Sequence, residues 1–173
     1  MYEQMFRSVQ LDILKRAAKI DSGKKASRNN NQDFPYLYGY TDNGDVALMS
    51  SFAVYLVYPE VCYIDLRAAF RREAIPTSQV MRILDDKNAY PAEMTADLKQ
   101  MENGTTVHVF EVENGEQVLI DTKLFKPFKD MQIELKFKAS NPISPVFVYN
   151  DLGRKVGMVL PVRPPEYDSK RRY

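Results

Sequence analysis

Gln-Ile-Glu-Leu-Lys-Phe-Lys at residues 132–138, Asn-Pro-Ile-Ser-Pro-Val-Phe-Val-Tyr at 141–149 and Lys-Val-Gly-Met-Val-Leu-Pro-Val-Arg at 155–163 decide the fold. In the first stretch, apolar residues alternate with polar ones, which predicts a strand with one face on a core and the other in water. Prolines and an Asn-Asp-Leu-Gly turn separate the three stretches. The sequence therefore predicts an antiparallel meander of three strands.

Length and composition indicate one ordinary globular domain. The chain has 173 residues, of which 45% are hydrophobic and 27% charged. No apolar run reaches the roughly 18 to 20 residues that span a bilayer, and the first residues lack a signal-peptide pattern. We therefore expect a cytoplasmic protein. Its one cysteine, Cys62, excludes an internal disulfide, and we expect it in a buried strand.

The first part of the chain predicts one helix and several strands. Apolar residues recur at helical spacing over residues 9–20, with Ser8 as a candidate cap. Residues 21–33 are polar and predict a loop. Residues 36–65 are strand-like, with a turn at Asp42-Asn43-Gly44, a stop at Pro59 and a new strand over 61–64. A short strand is expected over residues 2–6.

The middle of the chain predicts helices. Residues 66–73 indicate a short helix, Thr77 or Ser78 is a candidate cap for a second helix to Asp86, and Pro91 is typical of the start of a third, running to about Met101. We therefore expect a helical insertion over about 66–104.

A hairpin and a basic helix follow. Residues 107–112 and 117–120 flank Asn114-Gly115, which predicts a hairpin with a type I′ turn. Asp121 or Thr122 then caps a helix to Met131, in which Pro127 should cause a kink or an early end. Lys123, Lys126 and Lys129 recur at i, i+3 and i+6 and therefore share one helix face.

A second basic segment lies near the start of the chain. Residues 15–28 contain six basic residues and one acidic residue. Such a run is typical of a solvated helix face and loop, and equally of a surface that contacts phosphates without reading bases. The sequence leaves both interpretations open.

No pattern in the chain indicates catalysis. The single histidine, His108, lies in an alternating strand without a nucleophile or acid nearby, which favours a structural role. There is no glycine-rich loop before Lys-Ser/Thr, no His-Glu-x-x-His and no Cys/His metal cluster. We therefore expect no cofactor and no metal. An unrecognised α+β enzyme remains the third and weakest hypothesis.

The closing segment resembles that of the bacterial DNA polymerase sliding clamp, the β clamp. The resemblance rests on a helix over 121–131, the strand over 132–138, Ser144-Pro145-Val146, and Leu160-Pro161-Val162-Arg163. It covers about the last 45 residues and is fainter over residues 8–65. It implies an α+β, clamp-like domain over 1–163, with two β-α-β-β-β units, antiparallel sheets and two helices on one side, here with the insertion at 66–104.

The resemblance also implies two sites. Basic residues on the two helices would meet duplex DNA phosphates without sequence preference; the DNA-binding candidates are Lys15, Arg16, Lys19, Lys24, Lys25, Lys123, Lys126 and Lys129. A hydrophobic groove near the chain's end would accept a partner peptide; its candidates are Ile143, Pro145, Met158, Leu160, Pro161, Val162 and Arg163. Alternation in the last strand favours a core position for Met158 and Leu160 instead. Gln10-Leu11-Asp12-Ile13-Leu14 itself resembles a clamp-binding peptide, but its apolar residues are needed for helix packing.

Two functional hypotheses follow. The first is a non-enzymatic sliding clamp or processivity factor in DNA replication, which binds duplex DNA and polymerase peptides. One domain per chain would require a homo-oligomeric ring of about six copies, joined edge strand to edge strand. The second is a monomeric clamp-fold interaction module, of a phage or mobile element for example, that does not encircle DNA. The basic tail at 164–173 departs from the family pattern and is expected to be disordered.

Overall fold

The computed structural model describes residues 2–22, 37–70 and 72–164. Within these residues, four α-helices and nine strands form an α+β fold, as the sequence predicts. The helices are α1 (Tyr2–Ser22), α2 (Leu66–Ala69), α3 (Thr77–Ile83) and α4 (Thr122–Lys129). The strands are β1 (Leu37–Tyr40), β2 (Val46–Met49), β3 (Ala53–Val57), β4 (Tyr90–Gln100), β5 (Thr106–Val112), β6 (Gln117–Asp121), β7 (Leu135–Ala139), β8 (Val146–Asn150) and β9 (Lys155–Val159).

All nine strands belong to one antiparallel sheet, in the order β1-β2-β3-β9-β8-β7-β4-β5-β6. Two meanders, β1-β2-β3 and β7-β8-β9, join where β3 pairs with β9. The second meander is the one predicted from residues 132–163. Its first strand starts at Leu135 because Gln132 takes a left-handed φ of 53° as the chain leaves α4.

The first helix is longer than predicted. Residues 2–6 belong to α1, so the strand expected there is wrong, and the described residues 2–22 contain no strand before the first meander. Asp21 and Ser22 also belong to α1, while the rest of the predicted loop lies outside the described residues. The second meander does follow the β-α-β-β-β order, since β6 and α4 precede it.

The segment 66–104 is not a helical insertion. It contains α2 and α3, which correspond to the first two predicted helices, but residues 90–100 form the longest strand of the sheet. β4 lies between β7 and β5 and is therefore part of the main fold. The strand predicted over 61–64 is also wrong: Pro59–Val61 is a short 3-10 helix, and Cys62 follows it half-buried, outside any strand.

The hairpin of β5 and β6 has a different turn from the predicted one. A type I′ turn requires positive φ at both central residues. Only Gly115 has it, with φ 85°, and Asn114 does not. The N–H of Gly115 donates to the Val112 carbonyl oxygen at 2.8 Å. The loop is therefore a type I turn followed by a left-handed glycine.

The two faces of the sheet carry different helices. α1 and α4 contribute to the larger core, on one face, through Leu14, Phe125 and Phe128. α3 covers the opposite face through Val80. A Cβ on Gly157 would lie 2.6 Å from Cζ of Phe128 and 2.3 Å from the Val54 carbonyl oxygen, so only glycine allows α4 this close to β9.

Helix α4 is capped as predicted. The Asp121 side chain accepts a hydrogen bond from the Lys123 N–H at 2.8 Å. Pro127 lies inside the helix, which ends at Lys129, two residues before the predicted end.

Candidate functional site

Residues near the end of the described chain surround one open cavity of about 420 Å³, which we call the chain-end groove. Five of the seven peptide-binding candidates line it: Ile143, Leu160, Pro161, Val162 and Arg163. The other lining residues come from three distant segments: Phe52, Asn103, Thr105, Asp121 and Leu124. Phe52 and Ile143 are 40% and 50% exposed, so two large apolar side chains are available to a partner.

Two backbone hydrogen bonds hold the chain end in place. The N–H of Leu160 donates to the Phe52 carbonyl oxygen, and the N–H of Val162 donates to the Leu119 carbonyl oxygen, both at 2.8 Å. β9 lies in the middle of the sheet and β6 at its edge, so the segment after β9 crosses from the centre to that edge. This crossing forms one wall of the chain-end groove.

The other two groove candidates lie elsewhere. Met158 is 4% exposed and packs with Met49 and Val54 in the core beneath α3. It is therefore a core residue and is inaccessible to a peptide. Pro145 is half-buried just before β8 and does not line the chain-end groove.

The polar groups of the chain-end groove favour a negatively charged ligand group. Asp121 is the acidic lining residue, but its carboxylate already accepts the capping N–H of Lys123. Arg163 is the basic lining residue and is exposed, and it forms no ion pair with the described residues. The guanidinium is thus placed to pair with a carboxylate beside apolar anchors.

The basic face of α4 consists of Lys123, Lys126 and Lys129, and all three are exposed. Lys126 pairs with Asp130 at 2.5 Å, at 69% and 47% side-chain exposure, which offsets part of the positive charge. Behind this face, His108 stacks edge-on against Phe125 at 5.2 Å between ring centres. Burial first, and then the Lys129 ammonium, lower the pKa of His108, so its imidazole is neutral near pH 7.

The α1 candidates are only partly described. Lys15 and Arg16 are exposed, and Arg16 pairs with Asp12 at 3.7 Å. Lys19 belongs to α1, and Lys24 and Lys25 lie outside the described residues. α1 packs mainly on β3 and α2, whereas α4 packs on β5 and β6. The two helices thus share a sheet face and a core but rest on different parts of it.

A half-buried charged cluster was not predicted. The Tyr149 hydroxyl donates to the Asp86 carboxylate, and the Lys155 ammonium lies 3.3 Å from the same oxygen. Lys155 also donates to the Leu84 carbonyl oxygen at 2.6 Å. Burial acts to raise the pKa of Asp86, but the Tyr149 hydrogen bond and the Lys155 charge outweigh it and lower that pKa. The cluster ties the loop after α3 to β8 and β9, a connection that no local spacing indicates.

The described residues contain no group of three or more His, Cys, Asp or Glu arranged to hold a metal ion. Within the same part of the chain, no helix combines the length and apolar character needed to cross a membrane.

Comparisons with protein-family models, with curated proteins and with solved structures give no match for this chain. The chain-end groove and the basic helix face are therefore interpreted from their own chemistry.

Proposed function

We propose that this protein is a non-enzymatic, clamp-like interaction module that binds a short extended peptide in the chain-end groove. The observation that carries the proposal is the convergence on one concavity of exposed apolar side chains and Arg163, which has no ion pair with the described residues. Apolar anchors supply affinity, and a single polar group fixes orientation. The expected ligand has two or three apolar side chains and one carboxylate.

The edges of the sheet favour a module that does not encircle DNA. β1 and β6 are the outer strands. The Ile75 N–H donates to the Tyr38 carbonyl oxygen of β1 at 3.0 Å, and the Val162 N–H donates to Leu119 of β6. Both outer edges are therefore partly paired with the chain itself, which leaves less backbone for joining copies edge to edge into a ring.

A labelled synthetic peptide, Gln-Leu-Asp-Ile-Leu, is a suitable probe, since it combines apolar anchors with one carboxylate. It repeats residues 10–14, but in the protein Gln10, Ile13 and Leu14 are buried in the core. Fluorescence anisotropy should show saturable binding. Arg163→Glu and Ile143→Asp should each weaken the affinity at least about tenfold, or ~1.4 kcal/mol.

The matched control is Leu152→Asp. Leu152 is 88% exposed in the turn before β9 and lies outside the chain-end groove. This variant should bind the peptide like the original chain. Equal binding by all four proteins, or none by the original chain at high peptide concentration, would contradict the proposal.

Duplex DNA is the second candidate ligand, in the role of a sliding clamp or processivity factor. The exposure of all three lysines on the α4 face supports it, and Lys123 and Lys129 form no ion pair with the described residues. Phosphate binding of this kind requires cations and no base-reading geometry.

The test for DNA is the salt dependence of binding to a labelled duplex of arbitrary sequence. Lys123→Glu with Lys129→Glu should weaken binding and reduce the slope of log K against log salt by about 2. Arg82→Glu with Lys87→Glu, an equal charge change at exposed positions in and just after α3, should leave it unchanged. If both double variants show the same slope of log K against log salt, α4 is not the DNA-binding surface.

A further inference from the structure

Strand β4 extends beyond the strand beside it. β7 pairs only with its first three residues, Tyr90 to Ala92, while the pairing with β5 continues to Gln100. Residues 93–100 of β4 therefore have a neighbouring strand on one side only, and we call their other side the open edge. No strand of the described chain pairs with the open edge.

The open edge carries an exposed apolar residue between opposite charges. Leu98 is 59% exposed, and its neighbours Asp97 and Lys99 are exposed as well. Side chains alternate along regularly paired residues, so Leu98 and Lys99 lie on opposite faces of the sheet, and Asp97 is the last residue of the bulge that precedes them. An exposed strand edge with an uncovered apolar residue is a template for pairing with another chain.

The hydrogen-bond pattern determines which residues can pair there. The Met101 N–H donates to the Thr105 carbonyl oxygen at 2.8 Å, so Met101 directs its backbone groups toward β5. In an antiparallel ladder this direction alternates, so Lys99 also faces β5, whereas Leu98 and Gln100 direct their N–H and C=O toward the open edge.

We propose that two copies of this chain pair through β4, antiparallel, about a two-fold axis at Leu98. Leu98 then lies opposite the partner's Leu98, with reciprocal N–H to C=O hydrogen bonds. In this register Asp97 faces the partner's Lys99, and Lys99 faces the partner's Asp97. One apolar pair and two ion pairs thus form from a three-residue segment that is complementary to itself.

Neighbouring registers are unfavourable. An axis at Asp97 places two carboxylates opposite each other, and an axis at Lys99 places two ammonium groups opposite each other. The charges therefore select the register centred on Leu98.

The dimer should be weak and reversible. The β4 and β5 register shifts between Met94 and Leu98, and such bulges limit edge pairing. The regular pairing is short, and interfaces burying less than about 1,200 Å² are typically transient. The inference is independent of the chain-end groove, because the groove is lined by other residues.

Sedimentation velocity of the full chain across the micromolar range tests the proposal. The original chain should shift with concentration from its mass of 20.0 kDa toward twice that mass. Asp97→Lys and Lys99→Asp, each alone, place like charges opposite each other and should weaken self-association at least about tenfold. An equimolar mixture of these two variants restores both ion pairs and should form a heterodimer, and one chain carrying both changes should again form a homodimer.

The matched control is Glu113→Lys, a charge change in the exposed turn after β5 that should leave self-association unchanged. Circular dichroism would verify that each variant is folded. A monomeric original chain throughout the range would overturn the proposal. So would self-association that survives Asp97→Lys and Lys99→Asp separately, or a mixture of the two that stays monomeric, since only the β4 register makes these changes compensate.

Discussion

Gln10 joins the first helix to the sheet through both ends of its side-chain amide. Its Nε2 donates to the Leu56 carbonyl oxygen at 3.0 Å, and its Oε1 accepts from the Tyr58 N–H at 3.1 Å. The side chain is fully buried, which is tolerated because donor and acceptor are both satisfied. Helical spacing predicts the apolar residues of α1, but it gives no reason for a buried glutamine, whose partners are 46 and 48 residues away.

Asp86 provides a pH-dependent test of the half-buried charged cluster. Its folded-state pKa lies below its ordinary value of 3.8, so ionised Asp86 stabilises the fold. This contribution is fully present above that value and is lost as pH falls through the lower, folded-state pKa. Asp86→Asn should therefore lower the free energy of unfolding by about 1 kcal/mol at pH 7. The difference from the original chain should shrink in acid.

Urea denaturation at neutral pH and near pH 3 measures that difference. Asp85→Asn is the matched control, because exposed Asp85 accepts only the local N–H of Lys87 and forms no ion pair with the described residues. It should have little effect at either pH. A loss for Asp86→Asn that is the same at both pH values would show that its charge does not stabilise the fold.

At the scale of elements, the sequence predicts those whose pattern is local. In the meander of β7 to β9 and the hairpin of β5 and β6, short apolar or alternating runs are bounded by turns, two of them at glycine; β6 and β7 alternate, whereas β5, β8 and β9 are buried almost throughout. Helix α4 has a capping aspartate and a defined apolar face. Pattern and structure agree there because the signals are local: a short apolar or alternating run with a turn at each end predicts a strand.

β4 could not be predicted in the same way. After Ala92 its residues are mostly exposed on both faces, so the strand shows no alternation. Glu93, Met94, Leu98 and Lys99 are helix formers, and Pro91 is typical of a helix start. Pairing with β5, the next strand, and with the distant β7 overrides this preference, because both ladders satisfy the backbone groups of β4.

The bulge in β4 depends on Thr95. Its hydroxyl donates to the Val109 carbonyl oxygen at 3.0 Å and accepts from the Asp97 N–H at 3.3 Å. Thr95→Val removes both bonds while conserving shape and should lower the free energy of unfolding by about 1–2 kcal/mol. Thr95→Ser retains the hydroxyl and should recover most of the loss. Urea denaturation of both variants checks this, and equal stability of the two would contradict it.

At the scale of the whole molecule, the chain-end groove has two walls, and only one of them comes from residues near the end of the described chain. The resemblance to clamps indicated its chain-end wall, including Ile143 and Arg163. The opposite wall includes Phe52, Asn103 and Leu124, which no spacing connects. They come together because the sheet brings the start of β3, the turn after β4 and the start of α4 to one end of the molecule.

The attachment of the chain end to β6 affects both the stability of the fold and the shape of the chain-end groove. The Val162 N–H is the donor that holds the chain end against β6, and Val162→Pro removes it. Because one backbone hydrogen bond contributes about 1 kcal/mol, Tm should fall by about 2–4 °C. Peptide affinity should fall about tenfold, since the wall formed by residues 160–163 is no longer fixed.

Val162→Ala keeps the N–H and is the control for the lost side chain. Calorimetry and anisotropy on both variants separate the effects, and an unchanged affinity for Val162→Pro would mean that this hydrogen bond does not shape the chain-end groove.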